Sequence, residues 1–108
     1  MKAEHQVLRD RLKVPVVLTR DSVCAADDCH APHEKKVKVY SFLDPEAFAR
    51  EIASGYLPSV AGVGHSWTCV LNGMRIAEIT TSGIRALVRE SPFLEKNQAH
   101  FVYHSSMY

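Results

Sequence analysis

The segment from residue 21 to residue 34 holds this sequence's densest cluster of side chains that bind metal ions or react as thiols. Its acidic, thiol and imidazole groups belong to Asp21, Cys24, Asp27, Asp28, Cys29, His30, His33 and Glu34. Zinc in proteins prefers four ligands of thiolate and imidazole type, arranged as a tetrahedron. One hypothesis is therefore a zinc site formed by Cys24, Cys29, His30 and His33.

The spacing of those ligands, Cys-x4-Cys-His-x2-His, is unusual for a structural zinc site. Common sites combine two close ligands with two that lie far along the chain, whereas here all four share ten consecutive residues. Asp27 and Asp28 also oppose thiolate formation by like charge. The favoured interpretation is a long polar loop between two strands, because such loops in compact domains are often functional. We expect it to contact a protein partner by charge complementarity through Asp21, Asp27, Asp28, His30 and His33.

A thiol enzyme is a further hypothesis, because a cysteine nucleophile needs access to solvent and a nearby base. Cys24 or Cys29 would act with His30, His33 or His65, but the spacing singles out no pair. A redox switch between the same two cysteines is also open, since a loop can bring them within disulfide range. We favour a protein without catalytic activity and without a cofactor, zinc being the alternative.

Composition and charge limit the classes of function that we expect for this chain. The chain of 108 residues carries 13 basic and 12 acidic side chains, a net charge of +1, and no basic stripe of the kind that binds nucleic acid. No apolar run reaches the roughly 20 residues of a membrane span, and the N-terminus lacks the apolar core of a signal peptide. Three cysteines, an odd number, argue against a secreted disulfide framework. We expect one cytoplasmic domain over residues 1–108 that binds neither nucleic acid nor membranes.

Two predicted strands flank the polar loop. They span residues 14–20 and 35–43. The first is rich in β-branched residues, and in the second Val37 and Val39 alternate with Lys36 and Lys38. Pro15 cannot donate a ladder hydrogen bond, so it should lie at a strand start or on a sheet edge. Apolar residues near helical spacing predict a short helix over residues 3–12.

The clearest helix signal lies at residues 45–54. Asp44 is a suitable N-cap, because its carboxylate can accept from free backbone N–H groups. Pro45 fits the first helical position. Gly55 is expected to adopt the left-handed conformation that ends a helix.

The dipeptide Asn72-Gly73 predicts a two-residue hairpin turn, since both positions favour positive φ. The expected register places Leu71 opposite Met74 and Cys69 opposite Ile76, which makes Cys69 a buried structural thiol. A further short helix is predicted between Thr81 and Pro92, and a last strand at residues 99–104.

These elements predict an α+β fold with a mixed sheet of about five strands packed on the central helix 45–54. Their order resembles a β-grasp arrangement with an extra N-terminal helix. The edge near Pro15 or the strand 99–104 is expected to support a homodimer, if one forms. The favoured function is a small protein-binding or regulatory module, of the inhibitor, immunity or adaptor type, that uses the loop 21–34.

Overall fold

The computed structural model describes residues 13–21, 34–57 and 65–105. The predicted helix over residues 3–12 and residues 22–33 of the polar loop lie outside these ranges. The described elements follow one another as β1 (Lys13–Arg20), β2 (Glu34–Tyr40), α1 (Pro45–Tyr56), β3 (His65–Leu71), β4 (Met74–Thr80), β5 (Gly83–Ala86) and β6 (Asn97–Ser105).

All six described strands belong to one sheet, in the order β2-β1-β6-β3-β4-β5. The pair β1–β6 is parallel and the other pairs are antiparallel, so the predicted α+β class with a mixed sheet is confirmed. The sheet has six strands, whereas about five were predicted. In the described residues, no helix has the length and apolarity that crossing a bilayer requires.

Helix α1 begins where the sequence predicts. The Asp44 carboxylate accepts from the backbone N–H of Ala47 at 2.8 Å, and Pro45 occupies the first turn. The predicted end was wrong, because the helix runs through Gly55 to Tyr56 instead of stopping at residue 54. The additional residues bring the Tyr56 ring, only 4% exposed, into the core. Burial of a large aromatic ring outweighs the cost of one glycine within a helix.

The hairpin between β3 and β4 turns at Asn72-Gly73, with φ of 51° and 84°, as predicted. Leu71 lies opposite Met74 as expected, but Cys69 pairs with Ala77 and not with Ile76, because a β-bulge follows. The bulge inserts Ile76 as an extra residue of β4. Ile76 and Ala77, though adjacent, are both fully buried, which a regular strand with alternating faces does not permit.

The helix predicted between Thr81 and Pro92 is wrong, because this segment begins with strand β5. Thr81 and Ser82 form a tight turn between β4 and β5 instead of a helix cap. Across this hairpin Ile84 pairs with Ile79, and the Arg85 guanidinium contacts the Glu78 carboxylate at 2.6 Å. The pairing extends the sheet, and the predicted β-grasp-like order of elements is therefore not confirmed.

The core lies between α1 and one face of the sheet. Its fully buried side chains include Phe48 of the helix and Phe101 of β6. Strands β1 and β6 both lie inside the sheet, so the sheet edges that were expected to support a homodimer are not there. In the described part of the chain, the two outer strands are β2 and β5.

Pro15 lies in the interior strand β1, opposite Lys38 of β2. Pairing of β1 with β6 starts only at Val16, one residue later. At Pro15 the carbonyl oxygen accepts instead from the Asn97 side-chain amide at 3.0 Å. Pro15 is thus the third residue of β1, close to the strand start that was predicted, but it does not lie on a sheet edge.

Candidate functional site

The predicted functional segment leaves and rejoins the sheet at one end, which we call the loop end. It is defined by Asp21 after β1, Glu34 at the start of β2, His65 at the start of β3 and His104 near the end of β6. Asp21 is the predicted partner-binding residue that the structure describes. The other candidates lie outside the described residues, namely Cys24, Asp27, Asp28, Cys29, His30 and His33.

Asp21 is held against β6 by its backbone and by both carboxylate oxygens. Its N–H donates to the Phe101 carbonyl at 3.0 Å. The carboxylate accepts from the Tyr103 N–H at 3.0 Å and from His100 Nε2 at 2.9 Å. The Asp21 side chain is nevertheless 41% exposed. The start of the polar loop is therefore fixed to the sheet, while one side of its carboxylate stays open to solvent.

His100 connects Asp21 to a hydroxyl group. Because its Nε2 donates to a carboxylate, the neutral imidazole accepts at Nδ1 from the Thr19 hydroxyl, at 2.8 Å. A carboxylate, an imidazole and a hydroxyl in this order can activate a nucleophile. Thr19, however, lies inside the sheet between β2 and β6, where neighbouring backbone N–H groups serve the ladders and do not form an oxyanion site. The arrangement supports anchoring of Asp21 over catalysis.

The contacts of Asp21 also set its protonation. Burial acts to raise the pKa of this carboxyl. The hydrogen bonds from Tyr103 and His100, together with the electrostatic attraction of His100 and His104, outweigh burial and lower the pKa below the ordinary value of 3.8. A lowered folded-state pKa adds stability above the ordinary pKa, and this stability is lost as pH falls through the folded-state pKa.

We therefore expect Asp21→Asn to destabilise the protein at pH 7, and to do so less in acid. Because the side chain is 41% exposed, the loss at pH 7 should stay below about 1 kcal/mol. Urea unfolding of both proteins at pH 7 and near pH 3 measures the two differences. An equal difference at both pH values would contradict the proposed ionic role of this carboxylate.

Arg20 and Tyr56 lie on the helix side of the loop end, and each is 4% exposed. The Arg20 guanidinium donates to the carbonyl oxygen of Asp21 at 3.0 Å. Burial raises the pKa of the Tyr56 phenol. The positive charge of Arg20 opposes this shift, and the negative charge of Glu34 adds to it. Arg20 thus holds the backbone at the point where the polar loop begins.

The three described histidines each bind a different hydroxyl group. His100 binds Thr19, His104 Nε2 binds the Thr68 hydroxyl at 2.8 Å, and His65 Nδ1 binds the Tyr103 hydroxyl. The ring of His65 also stacks on that of Tyr103, with centroids 5.8 Å apart. Over residues 13–21, 34–57 and 65–105, no three acidic, histidine or cysteine side chains converge in a way that could hold a metal.

Cys69 is fully buried and unpaired, as the sequence predicted. Burial raises the pKa of its thiol to about 12. A thiol with this pKa is almost entirely protonated at neutral pH and is a poor nucleophile. Within the described residues, the cysteine is therefore part of the core and not a reactive group.

Sequence reasoning missed the contacts of His100 with Asp21 and with Thr19. Asp21 and His100 are 79 positions apart, and only the parallel pairing of β1 with β6 brings them together. A polar residue on each of two neighbouring strands was the available signal. Comparison with known proteins supplies no further assignment, because the chain matches no protein-family model, no curated protein and no solved structure.

Proposed function

We propose that this protein is a small protein-binding or regulatory module, of the inhibitor, immunity or adaptor type. Its contact surface is the segment 21–34, with Asp21, Asp27, Asp28, His30 and His33 as the groups that meet the partner. The observation that carries this proposal is the attachment of both ends of the segment. Glu34 pairs with Thr19 in the ladder, and Asp21 is bound to β6 through its backbone and its carboxylate.

Fixed ends favour binding because they reduce the conformational entropy that a loop loses when it meets a partner. The scaffold beneath the loop end supports the same function. In the described residues, no buried side-chain nitrogen or oxygen lacks a hydrogen-bond partner. The described histidines also serve contacts within the fold. A rigid, internally satisfied scaffold with one long polar loop is a common arrangement for recognition.

We propose the cytoplasm as the working compartment. The support comes from the odd number of cysteines and from Cys69, a buried free thiol. Disulfides are rare in the reducing cytosol, where thiols persist. The β-grasp-like arrangement also remains a proposal, supported by the parallel pairing of the first and last described strands between two hairpins.

Zinc binding through Cys24, Cys29, His30 and His33 is the second candidate function. The position of His65 favours it, since this imidazole lies at the same end of the sheet as Asp21 and Glu34, which bound the ligand-bearing segment. A metal bound there would add its binding free energy to the stability of the fold.

The experiment replaces residues 22–33 by a glycine-serine linker of equal length. Protein purified natively from its own cells is expected to retain a protein partner, and the linker variant to lose it while keeping its circular dichroism spectrum. A partner retained equally by both forms, or none with the unmodified chain, would contradict the proposal. Elemental analysis of the same preparation tests the second candidate, which requires stoichiometric zinc and fails without it.

A further inference from the structure

The outer edge of β2 is the longer exposed edge of the described sheet. This strand has seven residues and pairs with β1 on one side only, within the ranges that the structure describes. The opposite edge, β5, has four residues and starts at Gly83. An unpaired edge presents backbone N–H and C=O groups that can bind another strand. We propose that β2 binds an extended acidic peptide segment of a protein partner as an added strand.

The charges of β2 favour an acidic occupant. Lys35, Lys36 and Lys38 are all exposed, and the strand's one acidic residue, Glu34, lies at its start. Lys36 pairs with Val17 and therefore lies on the face away from the helix, as does Lys38. Alternate side chains of an added strand would lie beside these two ammonium groups. Opposite charges on neighbouring strands stabilise their pairing.

The same lysines act against pairing of β2 with a second copy of itself. Two β2 edges placed side by side would bring lysines of both copies together, and like charges on neighbouring strands are destabilising. Lysine on an exposed edge is a known protection against edge-to-edge association. The lysines of β2 thus disfavour pairing with the β2 strand of a second copy and favour pairing with a strand of opposite charge.

An apolar contact lies just beyond the end of the strand. The Phe42 ring is 67% exposed and stacks on Tyr40, with ring centroids 5.0 Å apart. Lys13 Nζ lies 5.0 Å from the centroid of the Tyr40 ring. The exposed Phe42 ring, beside the half-buried Tyr40 and the ammonium group of Lys13, suits a peptide that ends its acidic stretch with an apolar residue. We therefore assign to the occupant alternating acidic residues followed by a phenylalanine or leucine.

This inference rests on the proposed function, because it assumes a protein partner, and it adds the surface and the partner's chemistry. The probe is a fluorescent peptide of alternating glutamate and valine that ends in phenylalanine, and anisotropy measures its binding. We expect Lys36→Glu combined with Lys38→Glu to weaken binding at least about tenfold. Arg75→Glu with Arg85→Glu, on β4 and β5, makes the same change of charge far from β2 and should leave binding nearly unchanged.

Two N-methylated peptides test strand addition without any protein variant. Each carries methyl groups on one alternate set of backbone nitrogens, so in an added strand only one set faces β2. We expect one peptide to lose binding and the other to keep it. Equal binding by both peptides, or equal losses in the two pairs of charge variants, would overturn strand addition. A single-stranded oligonucleotide that binds more tightly with the same lysine dependence would also overturn the proposal.

The native partner separates this inference from the proposed function. Suppose that the unmodified protein retains a partner and the linker variant loses it. If the variant with Lys36→Glu and Lys38→Glu still binds this partner, the edge inference fails and the proposed function stands. If no partner is retained, the proposed function fails whatever the peptide does. Circular dichroism of every variant verifies that the fold is intact.

Discussion

Replacing Phe101 by alanine is expected to lower the free energy of unfolding by about 3–5 kcal/mol, the usual cost of removing a buried phenylalanine ring. The side chain is fully buried in the central strand β6. Its ring lies 5.9 Å from that of Tyr56, which anchors the end of α1. The cavity would therefore lie between the helix and the sheet. Because total stability in domains of this size is about 5–15 kcal/mol, a large share would be lost.

Urea unfolding monitored by circular dichroism measures this loss. Phe42→Ala is the matched control, since this ring is 67% exposed and should change stability by no more than about 0.5 kcal/mol. The same control variant should weaken binding of the acidic peptide. Similar stabilities of the two alanine variants would contradict the assignment of Phe101 to the core.

Replacing Asn97 by alanine is expected to cost about 2–3 kcal/mol, although the residue is polar. Asn97 is 4% exposed, and both the nitrogen and the oxygen of its side chain form hydrogen bonds with other residues. Its amide nitrogen donates to the carbonyl oxygens of Pro15 and Leu94, at 3.0 and 2.9 Å. Its oxygen accepts from the Leu94 N–H at 2.7 Å and from the Asn72 amide at 2.8 Å. The variant would remove four hydrogen bonds, although the Asn72 amide would keep its bond to the Pro92 carbonyl at 2.9 Å.

Asn97 is important for stability because its side chain links three parts of the sheet. It connects the start of β6 with β1 and with the hairpin turn at Asn72, so its loss weakens two interfaces at once. Gln98→Ala is the control, because the exposed neighbouring side chain can be removed while its backbone N–H still donates to Asn72. Thermal unfolding of the two variants gives the comparison. Equal midpoints would show that the Asn97 hydrogen bonds add nothing beyond those of an exposed residue.

Features that depend on local backbone preferences could be predicted from the sequence alone. Asp44 and Pro45 predict the start of α1 because they satisfy and preset its first turn. Asn72-Gly73 predicts the β3–β4 hairpin because both residues tolerate positive φ. Burial of Cys69 was predicted from the side-chain face that the hairpin register assigns to it, and the residue is fully buried. For the candidate site, the sequence located a dense group of reactive residue types and predicted strands on both sides of it.

Other features depend on the tertiary structure, because distant residues there compete with local preference. The helix passes Gly55 because the Tyr56 ring gains burial, and residues 83–86 form a strand because β4 offers an edge for pairing. Asp21 is anchored by His100 because the parallel pair β1–β6 places them side by side. Neither local conformational propensity nor the spacing of residues along the chain specifies which distant strand will lie beside a given strand. The free energy that selects these arrangements comes from burial and long-range hydrogen bonds, which exist only once the sheet has formed.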